Sequence, residues 1–174
     1  MVFNNLQELV KKRHSIRAFN QEPVTDELVT KILEVVQTAP TAGNLQAYEV
    51  VVVKDPEVRQ KLARAALGQS FLATAPVVLG FVALPVTSGQ RYGARGAQLY
   101  SIQDATIAAT YAMLAATALG LATTWVGAFH EDEVRAALNA EANQVPVALL
   151  PLGYGAVEPQ PTPRRPLDEI VREL

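Results

Sequence analysis

The chain has 174 residues and a formal net charge of −2; 49% of its residues are hydrophobic and 18% are charged. This length and composition predict a single folded domain over residues 1–174 and exclude global disorder. The small net charge gives no reason to expect nucleic acid as a partner, and the absence of cysteine excludes disulfides, cysteine-ligated zinc and a thiol nucleophile.

The hydropathy of the chain gives no sign of an export or membrane segment. The N-terminal sequence MVFNNLQELVKKRHS is polar and lacks the apolar core of a signal peptide. The longest apolar candidate, around residues 105–119, is rich in alanine and threonine and is interpreted as a buried helix. We therefore expect a cytoplasmic protein without membrane contact.

The first part of the chain predicts helices that flank one strand. Apolar residues at helical spacing predict a short helix over residues 5–13 and a second helix that begins after Thr25 and ends before Pro40. The β-branched run Tyr48–Val53 predicts a strand buried on both faces, and a third helix follows over residues 55–68. The predicted buried face of the second helix consists of Leu28, Ile32, Val35 and Val36.

The second part of the chain predicts three more strands and a central helix. Residues 85–98 are rich in glycine, arginine and tyrosine and are predicted to form a loop. Ser101 and Asp104 have the spacing of a capping box, so Asp104 is interpreted as a cap at the start of a helix that runs to about Leu119, rather than as a general base. The alanines of that helix allow close approach on several sides. The remaining elements are strands over residues 77–84, 123–126 and 147–152 and a helix over residues 131–139.

Residues 156–174 are predicted to form an extended C-terminal arm because prolines recur through them. The arm ends in LDEIVREL, whose apolar side chains have little reason to remain in water. Docking on a second subunit would bury them. The sequence thus predicts an α+β fold, with a mixed central sheet flanked by helices and an arm that contacts a partner subunit.

A basic segment follows the first helix. Arg13, His14, Ser15 and Arg17 offer guanidinium and hydroxyl donors within five residues, and such donors can converge on a phosphate. The alternative is a solvated basic corner that the lysines before it extend. Both interpretations stay open from this segment alone.

Three further segments carry polar groups with the chemistry of a ligand site. Thr41, Asn44 and Gln46 surround a glycine turn before the first strand, and their mixed donors and acceptors suit a polyhydroxylated chain or a heterocycle edge. Arg164 and Arg165 could close over a phosphate from the arm. Residues 120–129, GLATTWVGAF, carry glycines that let backbone N–H groups approach a ligand. Ordinary turns and surface charges explain the same residues equally simply.

Several common catalytic motifs are absent from the sequence. There is no G-x-G-x-x-G after a strand, no G-x-x-x-x-G-K-[ST], no H-E-x-x-H and no G-x-S-x-G. The chain has only two histidines, so we expect no metal site. Dinucleotide-binding Rossmann and P-loop folds are equally unsupported.

Taken in chain order, these segments resemble the FMN-dependent nitroreductase family. The resemblance covers nearly the whole chain and implies a homodimer that holds FMN between its subunits and exchanges its C-terminal arms. It also implies NADH or NADPH as the electron donor. The matching segments are RHSIRAF at 13–19, APTAGNLQAYEVVVV at 39–53, RYGARG at 91–96, IQDA at 102–105, GLATTWVGAF at 120–129, PLGY at 151–154 and PRRPLDEIV at 163–171.

The resemblance implies roles for individual residues of one subunit. Arg13, Ser15 and Arg17 correspond to the segment that holds the FMN phosphate and ribityl chain, and His14 lies within that segment. Arg17 is also expected to reach the pyrimidine edge of the ring. Gly127 occupies the stretch whose backbone N–H faces flavin N5. Gly127 and Arg17 are therefore the residues expected to act on the reacting ring.

The resemblance also implies contacts from elsewhere in the dimer. Arg164 corresponds to the phosphate-binding arginine of the arm, with Arg165 as a substitute, and Gln69 is a candidate for the ring edge. Arg91 and Tyr92, with Arg95, are candidates for substrate contact in a short lid, although a solvated loop explains them as well. The contacts expected from the partner subunit are those of Thr41, Asn44 and Gln46.

The implied reaction is ping-pong transfer of a hydride from NAD(P)H through FMN to a small acceptor such as a nitroaromatic or a quinone. The chain departs from the family at Ala47-Tyr48, where Pro-Trp is common, and at Thr162, where a basic residue is common. Three alternatives stay open. They are another flavin reaction (dehalogenation, desaturation or flavin cleavage), a flavin-binding sensor without turnover, and an α+β dimer without cofactor.

Overall fold

A computed structural model describes residues 2–159 and 162–174. The described chain is an α+β fold in which helices cover a four-stranded sheet. Short helical turns lie at Ala42–Asn44, Gly96–Tyr100 and Leu167–Glu169. The helices are α1 Val2–Lys12, α2 Asp26–Gln37, α3 Pro56–Ala65, α4 Phe71–Thr74, α5 Pro85–Arg95, α6 Ser101–Ala118 and α7 Glu131–Ala137; the strands are β1 Tyr48–Val53, β2 Val77–Ala83, β3 Ala122–Thr123 and β4 Val145–Gly153.

The sheet has the strand order β1-β2-β4-β3, and its strand pairings are antiparallel. The central pair is long: Val77 lies opposite Leu152 and Ala83 lies opposite Val145. An isolated bridge between Ser15 and Thr123 is parallel. The mixed character that the sequence suggested is thus confined, among the described residues, to this bridge.

The two faces of the sheet are covered by different helices. Alternate residues of β2, among them Leu79 and Phe81, pack against α2 and α6. The intervening residues, Val78 and Val82, pack with α3, α4 and α7 in a second core. Because side chains alternate across a strand, this arrangement explains why every residue of β2 is buried.

The strand β1 is not buried on both faces as predicted. It lies at the edge of the sheet, and only Val53 is fully buried, whereas Glu49 is exposed. A continuous β-branched run is compatible with an edge strand, because β propensity reports side-chain fit to a pleated surface and not the position in the sheet. The strand boundaries themselves are confirmed.

The central helix α6 is buried as predicted; it ends at Ala118, and Gly120, with a φ of 77°, follows two residues later. Its predicted cap is wrong, because the backbone enters the helix through the helical turn Gly96–Tyr100 without a break. Ser101 donates its hydroxyl hydrogen to the Ala97 carbonyl at 3.0 Å instead of capping a free helix end.

The helix faces also differ from the prediction in two places. The buried residues of α2 are Val29, Ile32 and Val36, while Val35 is 41% exposed and Leu28 is half-buried. Thr25 caps this helix as predicted, since its Oγ1 accepts from the Leu28 N–H at 3.3 Å. Helix α1 forms but buries none of its residues within the chain.

The predicted loop over residues 85–98 is a helix. Pro85 occupies the first turn of α5, where its missing N–H costs nothing. The chain then kinks at Gly93 and continues into the next helical turn. Gly96 is required there, because a Cβ at this position would collide with the Ser88 carbonyl. Three glycines over this stretch lower its helix propensity, so its sequence pattern favours a loop.

Candidate functional site

The basic segment after α1 is held in an extended path beside the ends of two strands. The Ile16 N–H donates to the Thr123 carbonyl at 3.1 Å, and the Asn20 N–H donates to the Tyr154 carbonyl at 3.0 Å. Ile16 and Phe19 are buried anchors, whereas Arg17 between them is exposed. Ser15 and Arg17 therefore stand on the outer side of a segment whose backbone is fixed.

This segment and the beginning of the arm enclose a groove of roughly 590 Å³, within the range of about 300–1,000 Å³ typical of ligand sites. Three arginines and one glutamate line it, which leaves a formal charge of +2 (three positive charges minus one). Among the described residues, none of these arginines forms a salt bridge. The lining consists of Arg13, His14, Ser15, Ile16, Arg17, Ala18, Val157, Glu158, Pro159, Thr162 and Arg164.

The two arginines of the arm have different surroundings. Arg164 lines the groove with Arg13 and Arg17. Arg165 instead contacts Glu169, donating from Nε to Oε2 at 3.1 Å and from Nη2 to the backbone carbonyl at 2.6 Å. Of the two, Arg164 is therefore the one placed for an anion in the groove.

The turn that contains Thr41, Asn44 and Gln46 has an unusual backbone. Gly43, Asn44 and Gln46 all have left-handed φ angles, of 58°, 57° and 45°. Each non-glycine residue in such a conformation costs on the order of 1–3 kcal/mol, and residues of this kind cluster at ligand sites. The Gln46 side chain donates to Asn44 Oδ1 at 2.9 Å, and the Gln46 N–H donates to Thr41 Oγ1 at 3.1 Å.

The turn does not join the basic groove within one chain. Thr41 lines a second hollow of roughly 500 Å³ between the turn and α6, with no residue in common with the groove. The lining of this second hollow is Pro40, Thr41, Ala42, Tyr100, Gln103, Asp104, Thr106 and Ile107.

A buried carboxylate of α6 supports the turn, and the sequence interpretation of this residue was wrong. Asp104 is 2% exposed, and its Oδ1 accepts from the Ala42 N–H at 2.9 Å. Burial raises the pKa of the Tyr48 phenol, and the nearby charge of Asp104 raises that pKa further. One feature of the sequence could have indicated this buried position. Asp104 lies four residues before Ala108, so both lie on the same helix face, which the alanines mark as buried.

Gly127 and Gln69 are brought close together by the fold. The Gln69 side-chain amide donates to the Ala128 carbonyl at 3.2 Å and to the Ala66 carbonyl at 2.9 Å. Gly127 is exposed, and a Cβ there would stand 2.9 Å from Trp125 Nε1. Residues 127–128 are thus exposed to solvent, and the Gln69 side chain holds them through the Ala128 carbonyl.

The lid candidates form a cluster over the turn. Arg91 donates from Nη1 to the Gly43 carbonyl at 3.1 Å, and its guanidinium lies 5.4 Å from the Tyr92 ring. Arg95 lies 5.5 Å from the ring of Tyr100 and donates from Nε to its hydroxyl at 3.1 Å. The rings of Tyr92 and Tyr100 meet edge to face at 5.3 Å. The structure therefore joins α5 to the turn, and not to the basic groove.

The described residues form neither a metal cluster nor a membrane-spanning helix. Within residues 2–159 and 162–174, no three histidine or carboxylate side chains gather closely enough to hold a metal ion. No helix in the same part of the chain combines the length and apolar character that a membrane crossing requires.

Comparison with known proteins gives a consistent result. The family model described as the nitroreductase family matches residues 10–70 and 65–154. A protein of Thermus thermophilus named NADH dehydrogenase is 34% identical over 190 residues, covering 92% of this chain and 91% of the relative. A Bacillus subtilis protein named FMN reductase [NAD(P)H] is 31% identical, covering 95% of this chain and 73% of its own. The solved NADPH:FMN oxidoreductase of Vibrio harveyi, complexed with NAD⁺, has a TM-score of 0.89 at 27% identity and covers 98% of this chain and 77% of its own.

Proposed function

The chain belongs to the nitroreductase family, and on that premise we propose that it is an FMN-dependent oxidoreductase. It takes a hydride from NADH or NADPH and reduces a small, planar acceptor such as a nitroaromatic or a quinone by a ping-pong mechanism. The names of the relatives support both FMN and the nicotinamide donor. The observation that carries the proposal is the groove in which Arg13, Arg17 and Arg164 converge.

The residues of the groove fit the phosphate of FMN. Guanidinium groups donate paired hydrogen bonds to phosphate oxygens, and the hydroxyl of Ser15 and the ring of His14 add donors beside them. Three arginines exceed the single carboxylate of Glu158, so the groove attracts an anion. We assign the phosphate to Arg13, Ser15 and Arg164.

When bound, FMN supplies the hydride chemistry, so the chain itself needs no acid, base or nucleophile. With FMN bound, Arg17 would supply a positive charge to stabilise the negative charge that develops on reduction. Gly127 is exposed and would offer its backbone N–H as a hydrogen-bond donor that does not titrate, while Gln69 holds the adjacent Ala128 carbonyl. These residues would bind and orient the ring.

We propose that two copies of the chain complete each site. Thr41 lines a hollow that shares no residue with the basic groove, and this separation supports the proposal that the turn residues contact the FMN held by the groove of a second subunit. The apolar side chains left exposed favour this dimer: Phe3 of α1 is 67% exposed, and Leu167 and Ile170 of the arm are 74% and 58% exposed. Truncation after Gly155 should produce a monomer in sedimentation, and a stable truncated dimer would contradict the role of the arm.

Arg91, Tyr92 and Arg95 are proposed to select the acceptor. They lie on α5 above the turn. Arg91 lies beside the Tyr92 ring and Arg95 beside the Tyr100 ring, and such pairs of guanidinium and aromatic groups suit a planar ligand with negative or electron-rich edges. A cytoplasmic location is part of the same proposal, since a nicotinamide donor is available there. Dehalogenation, desaturation and flavin cleavage remain the competing reactions of the same site.

Steady-state kinetics with two substrates test the proposed reaction. FMN-loaded protein is assayed with NADH or NADPH against menadione and a nitrobenzene derivative. Parallel double-reciprocal lines, with donor oxidation matched by acceptor reduction, are the result expected of a ping-pong mechanism. Intersecting lines would refute that mechanism, and FMN binding without donor oxidation would favour the sensor instead.

A further inference from the structure

We infer that Asp104 is a positioning residue that fixes the turn at residues 41–46 in its binding conformation. The inference rests on the proposed function, in which this turn contacts FMN. Asp104 lies on the central helix α6 and reaches a backbone N–H that is 62 residues away in sequence. It therefore joins the most deeply buried helix to the turn through one charged hydrogen bond.

The turn needs such a support because its backbone is strained. Gln46 holds a left-handed φ angle without the freedom of glycine, and Asn44, a residue type that tolerates this region better, holds another. The local bonds of the turn, from the Asn44 N–H to the Thr41 carbonyl and from the Leu45 N–H to the Ala42 carbonyl, are 3.1 and 3.2 Å long. These bonds close the turn on itself, whereas the Asp104 bond joins the beginning of the turn to the buried helix α6.

The second oxygen of Asp104 argues against a role of this carboxylate in stabilising the core. Oδ2 is buried and has no hydrogen-bond partner among the described residues. An unpartnered buried carboxylate oxygen destabilises a folded protein, and alanine would suit the neighbours Ala105 and Ala108 better. The carboxylate is explained by what Oδ1 does at the turn, beside the hollow that Thr41 lines.

A helix-capping role does not explain Asp104. The residue before α6, Tyr100, has helical angles of φ −67° and ψ −38°, so the helix has no free N-terminus at this point. The Ser101 hydroxyl donates to the Ala97 carbonyl of the preceding turn. Asp104 Oδ1 accepts from the distant Ala42 N–H and not from an N–H of its own helix.

The test uses variants that remove or retain the acceptor. Asp104→Ala removes it, whereas Asp104→Asn keeps an oxygen that can accept from the Ala42 N–H. Ser101→Ala is the matched control, because it also removes a buried polar group from α6 but leaves the turn untouched. Ala42→Pro removes the donor from the other side without entering the core; Thr41, with φ −136° and ψ 157°, is already in the conformation that precedes proline.

Two readouts are measured for each variant. Amide exchange of Asn44 and Leu45, followed by nuclear magnetic resonance in the apoprotein, reports the turn without FMN. The dissociation constant for FMN, measured by isothermal titration, reports the site. Loss of a charged hydrogen bond should accelerate exchange and weaken FMN binding by about tenfold or more in Asp104→Ala and Ala42→Pro. In Asp104→Asn both effects should be smaller than in Asp104→Ala, because a neutral acceptor remains, and in Ser101→Ala both values should stay within about threefold of the original protein.

The outcomes separate this inference from the proposed function. Unchanged exchange and unchanged FMN affinity in Ala42→Pro would overturn the inference, even if Asp104→Ala failed to fold. Equal losses in Ser101→Ala would also overturn it, since a general weakening of α6 would then be sufficient. If no variant and not even the original protein bound FMN, the proposed function would fail, while the exchange rates would still decide whether Asp104 holds the turn.

Discussion

The different surroundings of Arg164 and Arg165 lead to a sharp prediction about FMN affinity. Arg164 shares the groove with Arg13 and Arg17, while Arg165 contacts Glu169. A hydrogen bond to a charged group contributes about 1.5–3 kcal/mol. With tenfold in affinity for each 1.4 kcal/mol or so, Arg164→Ala should raise the dissociation constant for FMN by about 10- to 150-fold.

Arg165→Ala is the matched control for this prediction. Its ion pair with Glu169 is exposed, at 66% and 55% of the two side chains, so it contributes only about 0–1 kcal/mol to stability. The affinity for FMN should therefore change by less than about threefold in this variant. Isothermal titration of FMN into each apoprotein measures both values. Equal losses in the two variants, or a larger loss in Arg165→Ala, would refute the assignment of the phosphate to Arg164.

Three other changes test separate parts of the site. Arg17→Ala should lower the flavin reduction potential or the FMN affinity, and a redox titration in which both stay unchanged would refute its role at the ring. Gly43→Ala should cost about 1–2 kcal/mol in chemical denaturation, because φ is +58° and the new Cβ would collide with the Tyr92 hydroxyl; full stability would contradict the turn geometry. Tyr48 should ionise above its usual pKa of 10.0, mainly because it is buried, in an ultraviolet titration. The contribution of Tyr48 to stability is complete below the unfolded-state pKa of 10.0 and is lost as the pH rises through the higher folded-state pKa. Asp104→Asn should move the folded-state pKa of Tyr48 back toward 10.0.

The features that the sequence predicted well depend on local chemistry. Thr25 caps α2 as expected, and Asp55 caps α3 at the start of the predicted range 55–68, because a cap involves residues only two or three positions apart. The strand Tyr48–Val53 has the predicted boundaries, and β2 ends one residue early. The basic segment leaves α1 at the expected point, and four of its residues line one groove together with Arg164.

The features that the sequence did not predict depend on the tertiary fold. The edge position of β1 follows from strand order, which no local pattern encodes. The helix α5 is stabilised by packing on the turn Gly96–Tyr100, where glycine permits close contact although it lowers helix propensity. The hydrogen bond between the Ala42 N–H and Asp104 spans 62 positions of sequence, and no local pattern indicates such a partner. The sequence therefore favoured a local helix cap for Asp104.

The proposed function requires that the chain binds FMN and accepts electrons from a nicotinamide. Both properties are measured by an anaerobic absorbance spectrum of the purified, FMN-loaded protein, recorded before and after addition of NADH and then NADPH. We predict a flavin spectrum that bleaches with at least one of the two nucleotides. A protein that cannot be loaded with FMN, or a bound flavin that stays oxidised with both donors, would contradict the claim.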